Sequence, residues 1–351
     1  MARARRRSIA DVNIGEPDLA APSDEDVVRW LAYDEILRGE TPETPFDVSR
    51  RSITEVPEGL TLRLFVARDR DGTFAGEARL VTRQPREVPP ISQAQISVRP
   101  DRRRAGLGTA LLRRLLDAIG RQPDTRIMAW CTSGVPSGAD FARHVGASPT
   151  HVHYSSRLRI ADVDTAQIAT WVEDGARRGG DYSMVILDGA YPEDVIAAVL
   201  PLYHTVATVP RGSARLGPLP LSLERIRRRE AAGMGDRRWS LGALHRATGT
   251  LVAITELLFR SDRRDLAEQA NTAVLPAHRG RGLATWLKAA MLARVCAERP
   301  DVQEIRTANF ADNAAMLAIN RRLGFAPVVT ATAWQVSVAR AHSRLQEGVS
   351  A

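Results

Sequence analysis

Lysine is nearly missing from this chain. Of 49 basic side chains in 351 residues, 48 are arginine and one, Lys288, is lysine. A phosphate loop of the Gly-Lys-Ser/Thr kind is excluded, because Ala289 follows Lys288. A Schiff-base enzyme could use Lys288 alone, and protein-kinase chemistry has no candidate. Cysteine is scarce as well. Cys131 and Cys296 lie far apart, without the spacing of metal ligands, and read as buried thiols in a reducing compartment. Long apolar runs are absent too. The longest covers 195–203, far short of a membrane span, and no apolar signal core follows the N-terminal arginines. The expected location is the cytoplasm, with no membrane partner and no metal.

What is present is charge of both signs. The formal net charge is +8. Four positive charges, Arg3, Arg5, Arg6 and Arg7, sit in the first seven residues, and Asp11, Glu16 and Asp18 follow. Residues 23–160 carry 21 basic and 18 acidic side chains, and residues 161–351 carry 24 and 20. A near balance of this kind argues against a nucleic-acid face. The length favours two domains of ordinary size.

The chain repeats itself. Val98, Pro100, Arg103, Gly106 and Leu107 match Val274, Pro276, Arg279, Gly282 and Leu283, each 176 positions later. Gly72-Thr-Phe matches Gly249-Thr-Leu, and Val145-Gly146-Ala147 matches Leu323-Gly324-Phe325, at nearly the same offset. Landmarks that keep one offset in one order mark a duplication. The expected domains are 23–160 and 161–340, with flexible tails over 1–22 and 341–351.

The element order is alike in both halves. A helix opens each half, over 24–37 and 193–206, and the second half adds one over 223–232 with Ser222 as N-cap. Two strands joined at Asp-Gly72 or Thr-Gly249 follow. A third strand ends at Val98 or Leu275, and an amphipathic helix starts near Gly108 or Leu283. A strand, a short helix and a last strand, over 151–160 or 328–338, complete each half. Residues 165–178 read as a helix and 182–187 as a strand, both given to the second half. The order predicts α+β domains with mixed, mostly antiparallel sheets.

Between the third strand and the amphipathic helix lie Arg103-Arg104-Ala-Gly106-Leu-Gly108 and Arg279-Gly280-Arg281-Gly282-Leu283-Ala284. Backbone N–H groups at a helix start bind anions, and glycine lets a ligand approach them. A pyrophosphate fits such a turn. A dinucleotide fingerprint does not, because its third small residue would fall on Leu111 or Leu287.

The motif Arg-x-x-Gly-x-Gly/Ala, after Val-x-Pro and before an amphipathic helix, resembles the acyl-CoA-binding motif of the GNAT acyltransferase superfamily. The segment Asn309-Phe-Ala-Asp-Asn313 with Asn320 and Leu323-Gly324-Phe325 is similar to that superfamily's Asn-x-x-x-Asn…Leu-Gly-Phe stretch. The phrasing of the second half is similar to actinobacterial tandem GNAT proteins of the mycothiol synthase type. The resemblance implies two splayed sheets, each a wedge for coenzyme A. Its pyrophosphate would sit on the turns Arg103, Arg104, Gly106, Gly108 and Arg279 to Ala284. Its pantetheine arm would run along Ile96–Val98 or Ala273, Val274 and Leu275, with the Val274 N–H on the thioester carbonyl. Asn309 and Asn313 would add hydrogen bonds. An acceptor amine would attack directly in a ternary complex.

The chain departs from the family where protons move. Gln95 and Asn271 stand where relatives have a carboxylate, and Ala142 and Asn320 where relatives have a tyrosine. The first half also lacks the Asn-x-x-x-Asn segment and the Phe after Gly146. The second half is therefore expected to be catalytic, with Glu256 as base through water, and Asn320 and Asn271 beside the reacting atoms. The expected activity is acetyl-CoA-dependent N-acetylation of a small-molecule amine by a monomer or homodimer. The rival readings are a non-catalytic acyl-CoA sensor and an enzyme acting on a protein amine.

Overall fold

The computed structural model describes residues 9–17, 59–83, 91–120, 125–207, 222–231, 238–259 and 263–347. The helix expected over 24–37 lies outside them. The chain forms two compact units, Met1–Val152 with Val329–Ala351, and His153–Val328.

The first unit has strands β1 (Val12–Gly15), β2 (Leu60–Asp69), β3 (Phe74–Arg83), β4 (Ile91–Val98) and β5 (Arg126–Thr132). Helix α1 (Leu107–Ile119) joins β4 to β5, and α2 (Pro136–His144) follows. Leu107, Leu111, Leu112, Leu115, Leu116 and Ile119 form a stripe at helical spacing that α1 buries in the unit's core. Strand β6 (Ser148–Arg159) crosses the division into the second unit.

The second unit continues with α3 (Thr165–Arg178), β7 (Tyr182–Ile186), α4 (Glu193–Ala207), α5 (Leu223–Arg229), β8 (Arg238–His245), β9 (Thr250–Phe259) and β10 (Leu266–Val274). Helix α6 (Leu283–Glu298), β11 (Glu304–Phe310) and α7 (Ala314–Arg322) follow. Ser222 caps α5 as expected, its Oγ accepting from Arg225 N at 3.2 Å. Strand β12 (Ala326–Ser337) and helix α8 (Val338–Glu347) end the described chain.

The sheet order is β1-β2-β3-β4-β5-β12 in the first unit and β6-β11-β10-β9-β8-β7 in the second. Each has one parallel pair, β4 with β5 and β10 with β11, among antiparallel neighbours. Both are mixed, open sheets with helices, an α+β fold in duplicate. The closing strands are exchanged. β6 pairs with β11 from Arg159↔Glu304 to His153↔Phe310, and β12 pairs with β5 from Ser337↔Arg126 to Ala331↔Thr132. The expected boundaries gave each half its own last strand, so both boundaries need correction.

The tails also need correction in their described parts. β1 pairs with β2, and Arg114 donates to the Ile14 carbonyl at 3.1 Å. Glu16 takes a two-pronged bond from Arg63, at 2.9 and 2.7 Å, which holds its carboxyl below the usual range. Polar composition suggested a free segment, yet Glu16 meets Arg63 of β2 and Asp11 meets Arg70 just beyond it. At the other end α8 sinks Val338, Ala341 and Leu345 into the first core. Arg227 reaches Glu193 at 2.6 Å and Glu230 at 2.8 Å.

Helix α6 is buried nearly all round because α3 covers its outer face. A Cβ built on Gly175 of α3 would lie 2.4 Å from the Trp286 ring. Gly175→Leu should therefore lower the second unit's stability by roughly 2–3 kcal/mol, the cost of an overfilled core. An unchanged urea midpoint would show that the ring can move aside.

Candidate active site

Each unit contains a wedge. β4 pairs with β5 only from Ile91↔Arg126 to Gln93↔Met128, although β4 runs on to Val98. β10 pairs with β11 only from Leu266↔Glu304 to Glu268↔Arg306, although β10 runs on to Val274. Beyond those registers the facing strand edges are released from the ladder. Ile96 and Val98, and Ala273 and Val274, lie on the released stretches.

A glycine turn stands at the head of each wedge. Gly106 (φ 86°) and Gly282 (φ 78°) are the N-caps of α1 and α6, and neither helix has a side-chain cap. Arg104 (φ 61°) in the first turn and Gly280 (φ 77°) in the second share the left-handed conformation. A non-glycine residue there costs about 1–2 kcal/mol, so the first turn is the more strained. A Cβ at Gly280 or Gly282 would meet nothing within 4 Å, whereas one at Gly106 would meet Ile9 Cδ1 at 3.8 Å. The second turn is the more open to a ligand. Arg103 and Arg279 do the same thing in both copies. Each turns its Nε back to the carbonyl of the last strand residue, Val98 at 2.9 Å and Val274 at 3.3 Å. They brace the turns. His278, in the loop before the second turn, holds Tyr182 OH at 2.9 Å, and burial lowers its pKa, with help from His245 and Arg281.

The two wedges differ in the strand that lines them. β3 and β4 keep one register throughout. β9 and β10 break register between Gln269 and Thr272, which is a β-bulge. The bulge brings Asn271 onto Glu256, Nδ2 to Oε2 at 2.7 Å. Glu256 Oε1 accepts from Tyr191 OH at 2.5 Å and Tyr203 OH at 2.6 Å, and Arg238 Nε lies 3.7 Å away. The carboxylate is 1% exposed. A water or amine would have to displace one of these donors to touch it, so a base acting directly through water is disfavoured by geometry. Burial, and next the Glu256 charge, push both tyrosine pKa values well up, so both hydroxyls keep their protons. Counting from the matched pairs Gly76↔Val98 and Ala253↔Val274, the first unit has Arg79 where the second has Glu256. Arg79 is ion-paired with Glu77 at 2.8 Å.

Asn309 and Asn320 meet at the end of β11, Nδ2 of Asn320 donating to Asn309 Oδ1 at 2.7 Å. Asn320 is buried, and among the described residues its own Oδ1 has no partner. Asn313 caps α7, its Oδ1 accepting from Met316 N at 3.3 Å. His151 is buried with its ring edge-on to Trp130, and His153 lies beside Phe310. Among the described residues no three potential ligands gather for a metal ion, and no helix is long and apolar enough to cross a membrane.

Sequence reasoning missed Tyr191, Tyr203, Arg238 and Gln269. The two tyrosines lie 65 and 53 residues from Glu256 and carry no motif. The one available signal was their number: of only five tyrosines, Tyr191 precedes the 195–203 apolar run and Tyr203 closes it.

The model of the acetyltransferase (GNAT) family matches residues 30–146 and again 218–325. A tandem GNAT protein from the clavulanic acid biosynthesis pathway superposes with a TM-score of 0.72 at 26% identity, covering 93% of this chain and 98% of that one. A GCN5-related N-acetyltransferase from Sphaerobacter thermophilus superposes at 0.64 with 15% identity, covering 96% and 97%. That second likeness concerns the fold alone. No curated protein matches the chain.

Proposed function

Since the chain belongs to the GNAT acetyltransferase family, in tandem form, we propose that its second half transfers an acetyl group from acetyl-CoA to the primary amine of a small molecule. The observation that carries this is the asymmetry of the wedges. The second has an open glycine turn, a bulge and a buried carboxylate; the first has Arg104 in the turn, a regular ladder and Arg79 in the carboxylate's place.

The uncapped N–H groups of 280–284 suit a pyrophosphate, and the released edge of Ala273–Val274 suits an amide-bearing arm. Acetyl-CoA supplies the activated acyl group. The Val274 N–H polarises its carbonyl, and the amine attacks. Glu256 takes up the proton by relay, through the hydroxyl of Tyr203 or Tyr191, both already bonded to Oε1. The Asn309–Asn320 pair stands at the leaving sulfur. If both amides rotate together, Asn320 keeps its bond to Asn309 and turns an N–H towards the thiolate. The neighbour named from clavulanic acid biosynthesis works in a small-molecule pathway, which supports a small acceptor over a protein one.

Glu256→Gln tests the relay. Turnover should fall about 10²-fold, the usual contribution of a general base, with the KM for acetyl-CoA unchanged. Thiol release on an amine panel is the assay, and undiminished kcat would remove Glu256 from the mechanism. The enclosure of Glu256 favours one rival, an acyl-CoA sensor. Tight acetyl-CoA binding without turnover on any amine would identify it.

A further inference from the structure

The chain uses arginine at 48 of its 49 basic positions, and the exception is buried. Lys288, on α6, is 2% exposed. Among the described residues the buried arginines all sit against acids: Arg99 and Arg102 on Asp69, and Arg238 on Glu230. Lys288 has no such partner among the described residues. Its Nζ donates to Gln269 Oε1 at 2.7 Å, and its other close neighbour is the Phe325 ring, 5.4 Å from Nζ. A guanidinium cannot lose its proton in a protein, but an amine can. The one position that retains lysine is the one where a fixed charge would be stranded.

Gln269 connects this amine to the bulge. Its Nε2 donates to the Glu256 carbonyl oxygen at 2.7 Å and lies 3.2 Å from Thr255 Oγ1. It thereby fills the interval that the β9–β10 ladder skips, on the stretch that presents Asn271 to the Glu256 carboxylate.

The elements packed most closely on α6 are α3, β8, β9 and β10, and Phe325 follows α7, whose last turn carries Arg321 and Arg322. The titratable groups of the first four are Glu173, Asp174, Arg177 and Arg178 on α3, Arg238 and His245 on β8, Glu256 on β9 and Glu268 on β10. None of them sets the basicity of the amine. Burial alone lowers it, to about 7.

We propose that Lys288 is a positioning residue, held as a neutral amine: protonation strands a charge in the core, which gains water only if Nζ leaves Gln269, and the bulge that lines the acyl-donor wedge loosens with it. This rests on the reading that the second half binds acetyl-CoA. If the donor binds only the neutral form, its affinity should be roughly tenfold weaker at pH 6 than at pH 8. Lys288→Met, which cannot take up a proton, should lack that factor. Any pH dependence of the ligand's own phosphates appears in both proteins and cancels in the comparison.

A single lysine makes the test direct. Protein made with lysine labelled at Cε, and without a lysine-bearing tag, gives one lysine signal by NMR. Its titration midpoint is expected near 7, and should fall when acetyl-CoA is added. Calorimetry with acetyl-CoA on wild type and Lys288→Met at both pH values supplies the affinities. A midpoint above about 9, close to an ordinary lysine, overturns the proposal while leaving the functional reading intact. An affinity ratio between the two proteins that does not change with pH overturns the positioning role. Acetyl-CoA binding to neither protein overturns the functional reading and the coupling with it, whereas the NMR midpoint still decides the state of the amine.

Discussion

Gly282→Trp should abolish acetyl-CoA binding and turnover, whereas Gly106→Trp should leave most of the turnover intact. Gly282 caps α6 with φ 78°, and a Cβ there points into open space. An indole in that space occupies the ground over the uncapped N–H groups. It also meets the left-handed penalty that only glycine escapes. Hydrogen bonds to charged groups are worth about 1.5–3 kcal/mol each, so losing two weakens binding roughly 10²–10⁴-fold. Calorimetry on both variants, beside a thiol-release assay, reads the result. Turnover unchanged in Gly282→Trp would sink the assignment of the second turn. Equal losses in the two variants would instead argue that both halves serve one activity.

Lys288→Met should be the more stable protein near neutral pH, by an amount that shrinks as pH rises. The folded amine titrates near 7 and an ordinary lysine at 10.5. The unfolded chain therefore holds the extra proton between these values, and wild-type stability rises with pH across that window. The full span is about 5 kcal/mol, with a slope of up to roughly 1.4 kcal/mol per pH unit. Methionine gives up the bond to Gln269, which returns about 1–3 kcal/mol of the gain. Below pH 7 the difference should level off, because both folded and unfolded wild type are then protonated. Urea unfolding at pH 6, 7, 8 and 9 checks the sign. Parallel curves for the two proteins would mean that the amine keeps an ordinary charge in the core.

Much of the fold could be read in advance because it repeats. The offset between Val98 and Val274 located both glycine turns, and helical spacing of leucines located α1. The strand exchange could not be read, since a repeat offset says nothing about which sheet a closing strand joins. Both closing strands have the same residue pattern whichever neighbour they take. The bulge was also invisible. It displaces one residue of β10, and a pattern of Gln269-Ala-Asn271-Thr reads as an ordinary strand. Glu256 was found from its place beside the wedge, but its enclosure depends on Tyr191 and Tyr203, brought by the distant α4 segment, and on Arg238 of β8. Lys288 was visible as a rarity of composition; only its burial without an acid gave that rarity a physical meaning.

The exchange of β6 and β12 has a consequence for how the chain can be made and cut. Residues 329–347 bring β12 and the core side chains Val338, Ala341 and Leu345 to the first unit. On the ribosome that unit stays without its last strand until Ser337 has been synthesised, about 200 residues after β5. A gene fragment ending near residue 160 would leave the β5 edge bare, a pairing template of the kind that aggregates. The duplication is written in the sequence as two equal halves, yet neither half encodes a finished sheet.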